Sequence, residues 1–172
     1  MLLLADSPLE SAEGRYVLSN GGVERLNEVS ARYSLLLRWR VRYYQPLSPR
    51  EVWVDLEPGE GRLVALDRSL AEAESLPSLD SHQAERVARD FLVESAVDTS
   101  GLVLAESSTE NRPRRLDHTF IWEARDGDPR NVGEARHRVK VVVQGTRVGS
   151  YASWLKLPEH WVREHERRDH RQ

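Results

Sequence analysis

Apolar and polar positions change period several times along the chain, and each change marks an element. Between Asn20 and Tyr33 the apolar residues Val23, Leu26, Val29 and Ala31 fall at helical spacing, with Asn20 in the N-cap position. From Ser34 to Gln45 the period becomes two. Leu35, Leu37, Trp39, Val41 and Tyr43 alternate with Arg38, Arg40 and Arg42, which predicts a half-buried strand. A turn from Pro46 to Pro49 leads into Glu51 to Glu57, where Val52, Val54 and Leu56 share a face. The stretch from Pro58 to Gly61 then returns the chain into Arg62 to Leu66. Together these strands predict an antiparallel meander.

A second run of elements follows. Asp80 and Gln83 stand at capping-box spacing before Ala84, Val87, Ala88, Phe91 and Leu92, which predicts a helix over Ser81 to Val97 with Val87, Phe91 and Leu92 buried against a sheet. Leu102 to Ser108, His118 to Ala124 and His137 to Leu157 read as strands. They are broken by the turn-forming stretches Asn111 to Arg115 and Asp126 to Gly133. After Pro158 the sequence is polar and is expected to fray. The segments beginning at Val52 and Val139 echo each other: alternating apolar positions, a glycine turn, a returning strand, and an aromatic strand ahead of each. The predicted fold class is therefore α+β, with a helix-plus-meander unit over 1–79, a second over 80–158, and a polar tail over 159–172.

Composition narrows the function classes. In 172 residues, 39% hydrophobic and 31% charged side chains describe a globular chain with a polar surface. The 25 basic and 28 acidic residues leave a net charge of −3, too little positive field to hold nucleic acid. Arg112 to Arg115 form a loop charge cluster without interleaved aromatics, so no nucleic-acid partner is expected. The absence of Cys removes disulfides and thiolate metal sites. Met1 to Ala5 is too short an apolar run for a membrane span or signal core. The abrupt start and the charged end from Glu164 to Gln172 read as the boundaries of a piece of a longer protein.

Catalytic signatures are missing: no HExxH, GxSxG, GxxxxGK[ST] or GxGxxG pattern occurs. This segment is accordingly read as non-enzymatic, with no cofactor and no metal. His160, His165 and His170 recur at a five-residue step that walks around a helix, unlike a metal-binding pair four apart. His118, with Asp117, Glu123 and His137, is the one grouping that imitates an acid/base site, but strand neighbours such as Asp117 and His118 point to opposite faces. The stripe Arg38, Arg40 and Arg42 has two readings. It grips a phosphate or carboxylate partner, or it is the solvated side of a sheet paired with acids such as Asp55 and Glu57. Trp53 lies opposite Val52 and Val54 and joins the stripe as a candidate contact residue, its alternative being packing under a helix.

Two resemblances follow from these segments. Glu51 to Leu66 resembles the hairpin of PepSY-type domains, in which a helix precedes a small antiparallel meander, and the helix over Ser81 to Val97 with the strands at His118 and Val139 resembles a second such unit. The whole series from Leu36 to Arg163 resembles the soluble extracytoplasmic region of bacterial CPBP (CAAX-type) intramembrane metalloproteases. Those proteases hold their catalysis in a Glu-Glu-x-x-x-Arg motif and in His-containing motifs of their membrane helices. This chain has no Glu-Glu pair, and neither Phe91 nor Phe120 is followed four residues later by His. The resemblance implies a sensor or regulatory domain on the extracytoplasmic face of the bacterial cytoplasmic membrane. Its partners would be the membrane-embedded portion of the same chain and a peptide or protein ligand. A free-standing soluble peptide- or lipid-binding protein of the same fold is the alternative.

Overall fold

The computed structural model describes residues 2–4, 11–33, 38–47, 50–68, 70 and 74–169. Residues 34–37 of the first expected strand, 48–49 of its turn and the end of the chain with His170 lie outside the described residues. The elements in order are β1 (Leu2–Leu4), α1 (Ala12–Tyr33), β2 (Arg38–Tyr44), β3 (Glu51–Leu56), β4 (Leu63–Arg68), α2 (Ser81–Glu94), β5 (Leu102–Arg112), β6 (Arg115–Ala124), β7 (Arg136–Gln144), β8 (Arg147–Lys156) and α3 (Glu159–Asp169). The fold class is α+β, as the periodicities imply. All the strands join one antiparallel sheet in the order β1-β2-β3-β4-β8-β7-β6-β5. The first run of strands thus meets the second through β4 and β8, where Leu66 pairs with Tyr151.

The pleat sorts side chains to two faces. On one, β6 contributes His118, Phe120 and Trp122, which lie opposite Val143, Val141 and Val139 of β7. α2 covers these residues with its buried stripe Ala84, Ala88 and Leu92, closing a core that also takes in Leu66, Val148 and Tyr151. Val87 and Phe91 are half-buried against that core, with the Phe91 ring 5.6 Å from Tyr151. The capping box is formed: Gln83 N donates to Asp80 Oδ1 at 2.8 Å and Asp80 N donates to Gln83 Oε1 at 3.1 Å.

α2 ends at Glu94, earlier than the apolar spacing through Val97 implies. The reason is a Schellman closure, in which Val97 N donates to Leu92 O and Ala96 N to Val93 O. It sets Ala96 at φ 53, so Val97 turns back over the helix end.

α1 also departs from its expected start. Ser11 caps it, its Oγ accepting from Gly14 N at 2.9 Å, and Asn20 sits inside the element, donating to Tyr16 O. Gly22, at φ 69, breaks the axis, and the helical spacing read from Val23 onward belongs to the segment after this kink. Tyr16, Val17, Leu26 and Val29 pack with Val132, Ala135 and Leu155, so α1 meets the far end of β7 and β8. The segment after Pro158, expected to fray as part of the polar tail, forms α3 through Asp169. Trp161 anchors it, edge-on to Tyr16 at 5.2 Å and stacked on His165 at 4.5 Å.

The connection between the two runs of strands is strapped to the sheet. Arg115 donates to Glu74 O, Leu116 N to Ser78 Oγ, and the His118 ring bonds Leu79 O. Gly145, at φ 60 in the β7–β8 turn, lies so close that a Cβ there would come within 2.4 Å of Leu76 Cβ.

Candidate functional site

Arg38, Arg40 and Arg42 do share one face of β2, the face no described helix covers. Trp53 lies beside them on β3, directly across from Arg42. Acids on β3 take up these cations. Arg40 makes a two-pronged contact to Asp55 at 2.7 and 2.8 Å, Arg38 approaches the same carboxylate at 3.3 Å, and Arg42 reaches Glu51. The Trp53 indole lies under the Arg42 and Arg40 guanidinium groups at 5.2 and 6.0 Å and donates to Glu51. The Trp53 hydrogen bond, and after it the Arg42 guanidinium, hold Glu51 below the usual carboxylate range. Of the two acids expected to pair the stripe, Asp55 does so. Glu57 instead accepts backbone N–H groups of Gly59 and Glu60 in the β3–β4 turn.

The histidine grouping does not assemble. His118 is buried with both ring nitrogens engaged: Nε2 donates to the Leu79 carbonyl at 2.9 Å, which leaves Nδ1 to accept from Thr109 Oγ1 at 2.9 Å. Asp117 projects to the opposite face, against Arg115 at 2.8 Å. His118 pairs with Val143 on β7, whereas His137 lies six residues further along that strand, about 20 Å away at strand rise. Glu123 faces away from both and accepts from Arg138 at 2.6 Å. Among the described residues no group of three or more His, Asp or Glu side chains is arranged to hold a metal ion.

His137 instead belongs to a place that single-element periodicity does not reveal. A cleft of about 350 Å³ opens on the helix-bearing face, walled by Val64, Tyr151 and Ser153 of the sheet, by the turn Ser95–Asp98 after α2, and by Pro129 and Arg130 of the β6–β7 loop. Arg130 is buried and fixes the loop to that turn. It grips Asp128 through Nε and Nη2, donates through Nη1 to Asp98 O at 2.6 Å, and also bonds the Ser100 carbonyl. Asn131 accepts from His137 N at 2.9 Å and so holds the start of β7 beneath it.

The His137 ring lines this cleft at only 5% exposure, and its Nδ1 has no hydrogen-bond partner. Burial, reinforced by the Arg130 charge and opposed by Asp128 and Asp98, lowers its pKa to about 4. Burial likewise pushes the Tyr151 phenol above its ordinary range. The site therefore presents a neutral imidazole and a neutral phenol beside an apolar wall, with Arg62, Asp98 and Arg130 also lining it. Only the His137 position was conspicuous beforehand, because the partners that define the site come from turns distant in sequence. No family model, curated protein or solved structure matches the chain.

Proposed function

We propose that the chain is a non-catalytic sensor or regulatory module of two PepSY-like helix-and-meander units, serving a CPBP-type intramembrane protease from the extracytoplasmic side. The strand order carries this reading. The central order β2-β3-β4-β8-β7-β6 is what two copies of a three-stranded meander produce when they join by their last strands. The echo between the Val52 and Val139 segments falls on the corresponding hairpins, β3–β4 and β7–β8. The likeness is weakest where β5 intervenes between α2 and β6, and where α1 seats against Leu155 and not against its own strands. No described helix is long and apolar enough to cross a membrane, so in this reading the membrane helices belong to other parts of the parent chain.

The complete coding sequence around this segment is the first test. Apolar helices and a Glu-Glu-x-x-x-Arg motif are the expected neighbours, and deletion of the module from the reconstituted protease should change its rate on a model peptide by at least about fivefold. A coding sequence without such helices, or a rate that stays the same, overturns the protease reading.

One observation favours the alternative of a free-standing peptide-binding protein. β5 is an edge strand of 11 residues, with no partner strand on its outer side among the described residues. Peptide addition there would slow hydrogen exchange along β5, and unchanged exchange across a panel of strand-forming peptides would count against it.

A further inference from the structure

We propose that the cleft at His137 is a binding site for a small uncharged molecule, one with a hydroxyl or carboxamide group on a compact apolar body. It rests on reading the chain as a binding module, not on attachment to a protease, so a coding sequence without membrane helices leaves it standing.

Size comes first. At about 350 Å³ the cleft is near the lower end of small-molecule sites, with roughly the volume of a dozen liquid waters. That is too little for a folded partner or a long acyl chain. Its apolar wall is Leu63, Val64, Ala96, Val97 and Pro129. Charge comes second, because each ion at the rim is already compensated by a counter-ion or by hydrogen bonds. The Arg130 guanidinium is held by Asp128, and Arg62 at the mouth lies 3.6 Å from both Glu57 and Glu60. Asp98 is bonded by the Ser100 hydroxyl and amide. A charged ligand would lose its hydration there without meeting an uncompensated opposite charge.

Hydrogen bonding comes third. A neutral imidazole has one donor and one acceptor; the His137 Nδ1 is sealed from solvent and unpartnered, while the ring forms part of the cleft wall. Native interiors rarely leave such a group unmatched, and a ligand or water held in the adjoining cleft would supply the missing partner through a small shift of the wall. Ser95 and Ser153 also line the cleft, which suits a group able both to give and to accept a hydrogen bond.

The test uses the whole chain, labelled with ¹⁵N, and four ring compounds of similar size: benzamide, benzyl alcohol, benzoate and benzylamine. Benzamide and benzyl alcohol should shift the amides of Ser95–Asp98, Arg130 and His137 saturably, with dissociation constants of about 1 mM. Benzoate and benzylamine should bind at least about tenfold more weakly. His137→Phe, which keeps the ring and removes its nitrogens, should weaken benzamide about tenfold. Ser153→Leu, which fills the cleft from β8, should abolish binding while amides of β2 and β3 stay in place. If His137→Phe fails to fold, Ser153→Leu decides. The proposal is overturned by benzoate binding as well as benzamide does, by unchanged affinity in a folded variant, or by the absence of saturable shifts at these amides, the result expected if the cleft holds water only.

Discussion

The two ends of the sheet are built from similar alternating strands and are covered very differently. In β6, β7 and β8, Phe120, Trp122, Val139, Val141, Val143 and Tyr151 are almost wholly buried beneath α2. In β2 and β3, Val41, Val52 and Val54 are only half-buried, while Tyr43 and Tyr44 stand 62% and 65% exposed. Alternation alone does not decide how deeply a strand is buried; the helix that lands on it does. α1 lands on Leu155, so the β2–β3 hairpin is held by the flanking strands β1 and β4, by the partial packing of Val52 and Val54 on the core, and by its own cross-strand ion pairs. One end is a packed core, and the other is a flap continuous with it through β4 and β8.

The largest test of that contrast is a pair of truncations. Leu92→Ala removes a 2%-exposed side chain from the α2 interface and should cost about 3–4 kcal/mol in urea unfolding. Val54→Ala, on the half-buried flap, should cost about 1 kcal/mol. Hydrogen exchange should follow the same order, with β2 and β3 amides opening at lower free energy than those of β6 and β7. Equal costs, or uniform protection across the sheet, would erase the distinction.

Acid should loosen the packed end first. Folded His137 stays neutral down to about 4, whereas an unfolded imidazole takes up its proton near 6.5. The unfolded chain therefore binds more protons between those values, and stability is lost as pH falls from 6.5 towards 4, by about 3 kcal/mol from this group. Glu57, Asp98 and Asp128, all shifted downward, lose their contributions only at lower pH, through the carboxylate range. Denaturation midpoints of the parent and His137→Gln, compared at pH 6.5 and 4.5, separate the two windows. The variant should be nearly flat over that interval, and a parent-like slope would assign the effect elsewhere.

The flap should respond to ions where the core does not. Asp55 is 4% exposed and holds Arg40 and Arg38, themselves about one-third exposed. Asp55→Asn should cost about 1–2 kcal/mol, and raised salt should narrow the gap, because the arginines remain within reach of solvent. The same substitution should leave exchange at β6 and β7 unchanged.

These contrasts explain what was legible in the sequence. The period-two runs identified β2, β3, β4, β6, β7 and β8, and Asp80 with Gln83 identified the start of α2, because each is a local pattern with a local cause. Helix ends were less legible: Val97 extends the apolar spacing of α2 yet closes its end, and Asn20 resembles a cap but lies within α1. α3 was missed because one side chain, Trp161, makes its aromatic anchor, too little for a periodic stripe. The Arg38, Arg40 and Arg42 stripe with Trp53 was visible as a face, and its pairing with Asp55 was foreseen as one of two readings. The cleft was invisible, since Asp98, Arg130, His137 and Ser153 meet only through the sheet order and two loop turns.

The smallest predicted effect concerns the joint between α2 and that cleft. Ala96 occupies the left-handed position of the Schellman closure, where glycine is the usual residue and a Cβ crowds the following carbonyl by about 1–2 kcal/mol. Ala96→Gly relieves that crowding but gives the unfolded chain more freedom, worth about 0.4–1 kcal/mol in the other direction. The balance is a gain of about 0.5–1 kcal/mol, read as a higher urea midpoint at unchanged m-value. Because Ala96 N and Val97 N make the closing bonds, the gain should come with slower exchange at these two amides and no change in β2 or β3. A loss of stability would mean that the Ala96 methyl packs against the cleft wall strongly enough to outweigh its backbone cost, making this turn part of the core and not merely its boundary.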